Sequence, residues 1–122
     1  MNEYNLNGKK HGTWVSYNSN GVLDSKTHYI NGELHGIQER YFSKDSLWLR
    51  IAYENNKKNG LFEQYFDNGQ LQHVGHQKNG KSFGIWRHYR RDGELYAVIK
   101  KHKGIDVGLR ADYEENLIEF IL

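Results

Sequence analysis

The chain repeats itself every 24 residues, and that period limits its fold more than any other feature. Residues 7–30 read NGKKHGTWVSYNSNGVLDSKTHYI, 31–54 NGELHGIQERYFSKDSLWLRIAYE, 55–78 NNKKNGLFEQYFDNGQLQHVGHQK and 79–102 NGKSFGIWRHYRRDGELYAVIKKH. A partial fifth copy, KGIDVGLRADYEENLIEFIL, fills 103–122. Gly12, Gly36, Gly60, Gly84 and Gly108 form one column, Tyr17, Tyr41, Tyr65, Tyr89 and Tyr113 a second, and Leu23, Leu47, Leu71 and Leu95 a third. No insertion or deletion disturbs them, so accidental matching in a Gly- and Tyr-rich chain is excluded. Such a period marks stacked copies of one supersecondary unit.

Each unit carries two reversal signals. One opens it (Asn7-Gly8, Asn31-Gly32, Asn79-Gly80) and one divides it (Asn20-Gly21, Asn68-Gly69, Asp92-Gly93). Asn-Gly and Asp-Gly pairs supply the positive φ angles of tight hairpins. The segments between them, such as TWVSYN and VLDSKTHYI, are short and rich in β-branched and aromatic residues, so they read as strands. The expected fold is all-β: a single-layer twisted antiparallel meander of 24-residue β-hairpin repeats, about nine or ten strands and roughly 45 Å long at about 4.8 Å per strand. The whole chain, 1–122, is one repeat domain. Helix has no room in the pattern.

Alternation along the strands predicts two unequal faces. With a three-residue middle loop ending in a left-handed Gly, the Tyr and Leu columns share one face with Ile37, Ile51, Leu61, Ile85, Ile99 and Leu109, the expected core. The other face then carries Trp14, Phe42, Trp48, Phe62, Phe66, Trp86 and Tyr96 mixed with Arg40, Arg50, His88 and Arg90. Aromatics beside arginines are what binding surfaces favour. A two-residue loop would shift the pairing by one and regroup the columns.

The pattern NGxxxGxWxxYxxNGxLxxxxxY resembles the MORN-repeat group, in the variant found in small bacterial proteins known as YwqK-type antitoxins. The resemblance covers residues 7–116. The chain departs from it at Lys44-Asp45, at Asn55-Asn56, and at Gln38 and Arg110 in the aromatic column. The resemblance implies a non-enzymatic scaffold that presents a sheet surface to a protein partner such as a toxin.

The residues themselves offer little chemistry. No cysteine is present, which removes disulfides, thiolate metal sites and cysteine nucleophiles. His73 and His76, three apart on a strand, point to opposite faces and do not share an ion. His11 and His35 repeat one position without an accompanying carboxylate. No Ser stands in a Gly-x-Ser-x-Gly setting, and Asp112, Glu114 and Glu115 lack pocket-forming surroundings. No enzyme activity and no cofactor or metal are expected. No apolar run approaches the roughly 18 residues that span a bilayer, and the polar start NEYNLNGKK does not resemble a secretion signal, so the expected compartment is the cytoplasm.

The net charge of +2 is too small to imply nucleic acid alone. The fourth copy, however, interleaves aromatics with basic residues in WRHYRRDGELYAVIKKHK, which suits an anionic lipid surface or nucleic acid. The terminal NLIEFIL reads either as a cap over the last core face or as the seam of a homodimer; otherwise the chain is a monomer. The leading expectation is a protein-binding module of antitoxin or immunity type, with Trp14, Trp48, Phe62, Trp86, His88, Arg90 and Arg91 meeting the toxin or effector. The alternative is an adaptor for an anionic ligand, lipid surface or nucleic acid. For Trp14, Phe62 and Trp86 a competing expectation is a second layer of the protein's own core.

Overall fold

A computed structural model describes residues 2–111 of the chain. They form one open antiparallel sheet with no helix. The main strands are β2 (Lys10–Tyr17), β3 (Leu23–Ile30), β5 (Gly36–Ser43), β6 (Ser46–Glu54), β7 (Lys57–Tyr65), β8 (Leu71–Lys78), β9 (Lys81–Tyr89), β10 (Leu95–His102) and β11 (Ile105–Ala111). Two short strands join them: β1 (Glu3–Tyr4) on the edge beside β2, and β4 (Glu33–Leu34), which pairs with β3 just before β5 begins. Every strand follows its neighbour in sequence order, as a meander requires. The capping or dimer segment at 117–122 lies outside the described residues.

Two kinds of reversal alternate. The turns that open copies two to five have both central residues at positive φ: Asn31 49° and Gly32 83°, Asn79 52° and Gly80 82°, with Asn55-Asn56 and Lys103-Gly104 alike. This is the two-residue turn whose twist matches the strands it joins. The middle loops of copies one, three and four hold three residues and end in a left-handed Gly, whereas in copy two Ser43 pairs with Ser46 around Lys44-Asp45. Asn18 N–H donates to the Val22 carbonyl at 2.9 Å and Gly21 N–H to the Asn18 carbonyl at 3.0 Å, and the loops at 66–70 and 90–94 repeat both bonds. One expectation fails here. Asn7-Gly8 does not make an opening turn: Gly8 N–H donates to Asn5 and Asn5 N–H to Lys9, so it closes a three-residue loop between β1 and β2.

The middle loops also set the faces, through a bulge beside each of them. Tyr41 pairs with Leu47 but Arg40 with Leu49, so Trp48 is an extra residue on its strand. Asp24, Gln72 and Tyr96 are extra in the same way. An extra residue reverses the phase of everything after it. Among the described residues the Tyr and Leu columns do share a face, but Ile51, Ile99 and Leu109 take register positions on the other one. Ile51 pairs with Gln38 and Phe62, and Ile99 with Trp86 and Leu109. Arg50 moves the opposite way: it pairs with Glu39 and Glu63 and forms ion pairs with both, at 3.9 and 3.1 Å. The register also slips at the last strand pair. Ile51 meets Phe62, whereas Ile99 meets Leu109 rather than Arg110, the residue two repeats after Phe62.

Burial therefore concentrates on the aromatic face, not on the Tyr and Leu face where it was expected. Thr27, Ile51, Gly75 and Trp86 are buried in one row across the strands, while Tyr17 is 61% exposed. Val98, on the Tyr side between Arg87 and Arg110, is the exception. The row depends on Gly75, where a Cβ would fall inside the Trp86 indole. Its absence lets the indole cross the strand and reach Phe62, with ring centroids 5.3 Å apart.

Three substitutions follow from this geometry. Gly75→Ala should destabilise by about 1–3 kcal/mol through overpacking. Gly60→Ala should destabilise as well, because Gly60 sits at φ 110° and a Cβ there would press to 3.2 Å from Ala52. Asp45 stands at φ 60° in the position that Gly holds in the other middle loops, so Asp45→Gly should stabilise by roughly 0.5–1 kcal/mol. Urea unfolding of the three variants measures all of these; equal midpoints would refute the assignment.

Candidate functional site

The seven candidate residues separate by position. Trp86 is 6% exposed and belongs to the buried row, with the half-buried Phe62 ring packed against it, so it serves the protein's own packing. Trp14 closes the N-terminal edge. Its Nε1 donates to the Glu3 carbonyl at 3.1 Å, Tyr4 meets its ring edge-on at 5.1 Å, and the Lys10 ammonium stands 4.6 Å from its centre. These contacts hold the two-residue β1 in place.

Trp48, His88, Arg90 and Arg91 lie at the middle-loop ends of the strands, and there the bulges assemble two matching clusters. In copy two the Arg40 guanidinium lies 5.6 Å from the Trp48 ring, and Phe42 packs on the same indole at 5.7 Å. In copy four, two repeats on, Arg90 lies 5.6 Å from Tyr96, and His88 packs on that ring at 6.2 Å. Four strand spacings, about 19 Å, separate them. Phe66 of copy three lies between, with Arg91 5.3 Å from its ring. Arg91 also bonds Asp67 at 2.5 Å, and Asn68 Nδ2 donates to the Arg91 carbonyl, so adjacent loops are tied together. Phe42 and Tyr96 remain 46% and 38% exposed. Arg40, Phe42, Phe66 and Tyr96 belong to the site as fully as the residues singled out from sequence. All four stand on the aromatic face that alternation predicts, and the bulges after the Leu column, which the sequence does not mark, group them at this end of the strands.

The basic stretch of copy four does not form one patch. Arg87 and Lys100 lie on the Tyr and Leu face, Arg90 pairs with Glu94 at 3.5 Å, and Lys101 pairs with Asp106 at 3.0 Å.

Sequence also hid a histidine pair. His73 and His88 stand directly opposite on β8 and β9, and their Nδ1 atoms share a hydrogen bond at 2.6 Å. Burial holds both imidazoles below their ordinary pKa of 6.5; at His88 the neighbouring His73 and Lys101 add to this and Asp106 opposes it. No group of three or more His, Asp or Glu side chains suited to a metal ion occurs among the described residues.

Both histidines bind a proton less readily in the folded state than in the unfolded chain. Their contribution to stability is therefore complete above about pH 6.5 and is lost as the pH falls below it. The denaturation midpoint should drop between pH 8 and pH 5, and by less in His88→Gln, which lacks one of the titrating groups. Identical pH profiles would show that the pair carries no linkage.

No curated protein matches the chain. Two of its segments do match a known family: residues 10–31 and 58–79, the β2–β3 hairpin of copy one and the β7–β8 hairpin of copy three, fit the MORN repeat variant.

Proposed function

We propose that the chain is a non-enzymatic module that binds a protein partner along the middle-loop ends of its strands. In the finer reading it acts as an antitoxin or immunity-type inhibitor, covering the working surface of a cognate toxin or effector. The observation that carries the proposal is the pair of cation-aromatic clusters, Arg40, Phe42 and Trp48 in one and His88, Arg90 and Tyr96 in the other, with Trp48 and His88 half-buried and the other four exposed. Aromatic and Arg side chains in such settings act as binding anchors, and two copies about 19 Å apart offer a partner two points of purchase. Bulges commonly re-aim side chains at working sites. The MORN-like repeats support a binding scaffold in general terms.

The test compares partly exposed anchors with a buried aromatic. Against the product of the neighbouring gene, Trp48→Ala and Tyr96→Ala should each weaken binding by about 2 kcal/mol or more while the thermal midpoint holds. Trp86→Ala should do the reverse, costing about 3–5 kcal/mol of stability while the folded fraction binds normally. Co-expression should relieve that product's toxicity with the wild-type chain and not with the double variant. If Trp48→Ala and Tyr96→Ala bind as wild type, the interface lies elsewhere.

A further inference from the structure

At the opposite ends of the strands the opening turns stack in a line, and between successive turns the same recess recurs. One is lined by Lys9, Ile30, Asn31, Glu33 and His35, and the next by Glu54, Asn55, Lys57 and Asn59, so each of these has one lysine and one glutamate. The third, about 440 Å³ in volume, is lined by Lys78, Asn79, Lys81, Phe83 and Lys103. Its first two equivalents each include a glutamate, whereas the third has three ammonium groups and no carboxylate. We infer that this third recess binds a multiply charged anion of the phosphate class.

Two features of the backbone support the assignment independently. The residues flanking each opening turn face one another across the hairpin: Ile30 faces Glu33, Glu54 faces Lys57, but Lys78 faces Lys81. Like charges placed directly opposite are destabilising. None of Lys78, Lys81 and Lys103 has an ion-pair partner among the described residues. The second feature is Lys103 itself. It holds φ 51° at the turn position where the three earlier copies have Asn31, Asn55 and Asn79, the side chain best suited to that conformation. The chain gives up turn preference there and places a third cation at the recess. The Gly104 N–H, donated to the Ser82 carbonyl at 2.9 Å, fixes that turn beside the preceding one. Phe83, edge-on to His102 at 5.1 Å, supplies an apolar wall. An anion bridging the ammonium groups removes their repulsion. The recess lies about 25 Å along the strands from the cation-aromatic row, so it stands independently of the protein-partner reading.

Inorganic pyrophosphate at constant ionic strength is the first probe, read by amide NMR shifts on the full chain. Saturable shifts confined to residues 78–83 and 102–104 are expected. Lys78→Glu, which imports the residue that copy two has there (Glu54), and Lys103→Asn, which restores the turn residue, should each weaken binding at least tenfold. Both should also raise the thermal midpoint without ligand, an outcome that rules out misfolding as the cause. Vesicles of phosphatidylcholine with and without phosphatidylserine form the second arm. Sedimentation with the anionic vesicles that is lost in Lys78→Glu assigns the anion to a lipid headgroup, and pyrophosphate binding without sedimentation assigns it to a soluble phosphate. Shifts spread over all lysines, stabilisation reproduced by sodium chloride of equal ionic strength, or unchanged binding by both variants would overturn the proposal.

Discussion

One hydrogen bond, made once per repeat beside the strand ladders, ties each opening turn to the hairpin before it. The second residue of each opening turn donates its N–H to a carbonyl 22 residues earlier: Gly32 to Lys10, Asn56 to Leu34, Gly80 to Lys58 and Gly104 to Ser82, at 2.7–3.0 Å. A sheet of one layer has no second layer to lock its strands, so hairpin must hold hairpin directly. In such an array each unit contacts only its neighbours, and the order of the whole rests on the repeated nearest-neighbour joint. The same joint lines up the turns, and with them the side chains the turns carry.

Within that frame, packing is lateral. Only Ile51, Trp86 and Val98 are buried apolar side chains among the described residues. Most other side chains on the strands are half-covered by their neighbours, including the Glu39–Arg50–Glu63 ion ladder on the Tyr face. Cross-strand pairs of this kind are the unit from which a sheet draws stability. Where a large ring must be covered fully, the chain gives up a side chain next door, as at Gly75 beside Trp86.

Much of this architecture was legible in the sequence because its signals are local. The period, the positive-φ turn residues and the three-residue middle loops follow from the Asn-Gly and Asp-Gly pairs, and the Tyr and Leu columns pair as alternation predicts. Face assignment failed one step later. Counting in twos from Leu47 puts Ile51 on the Tyr side, but the extra residue Trp48 reverses the count, and Arg50 is misplaced for the same reason. A bulge of one residue leaves no mark in a repeat whose length never changes. Pairing of distant residues was equally hidden: His73 and His88 become neighbours only through strand register. The aromatics were legible as a set, but their division into buried row, edge closure and exposed clusters required the bulges.

The inter-repeat hydrogen bond also bears on how long the chain stays chemically intact. An Asn-Gly pair ages when the glycine nitrogen attacks the asparagine carboxamide and closes a succinimide ring, which later opens to aspartate or isoaspartate. At Asn31-Gly32 and Asn79-Gly80 that nitrogen is the atom whose proton is held by the Lys10 or Lys58 carbonyl. The bond restrains the nitrogen from approaching the carboxamide, so the contact that stacks the hairpins also slows deamidation at the turns they share. A repeat that frays would lose both at once, and an isoaspartate formed there would add a backbone methylene where the next hairpin must dock.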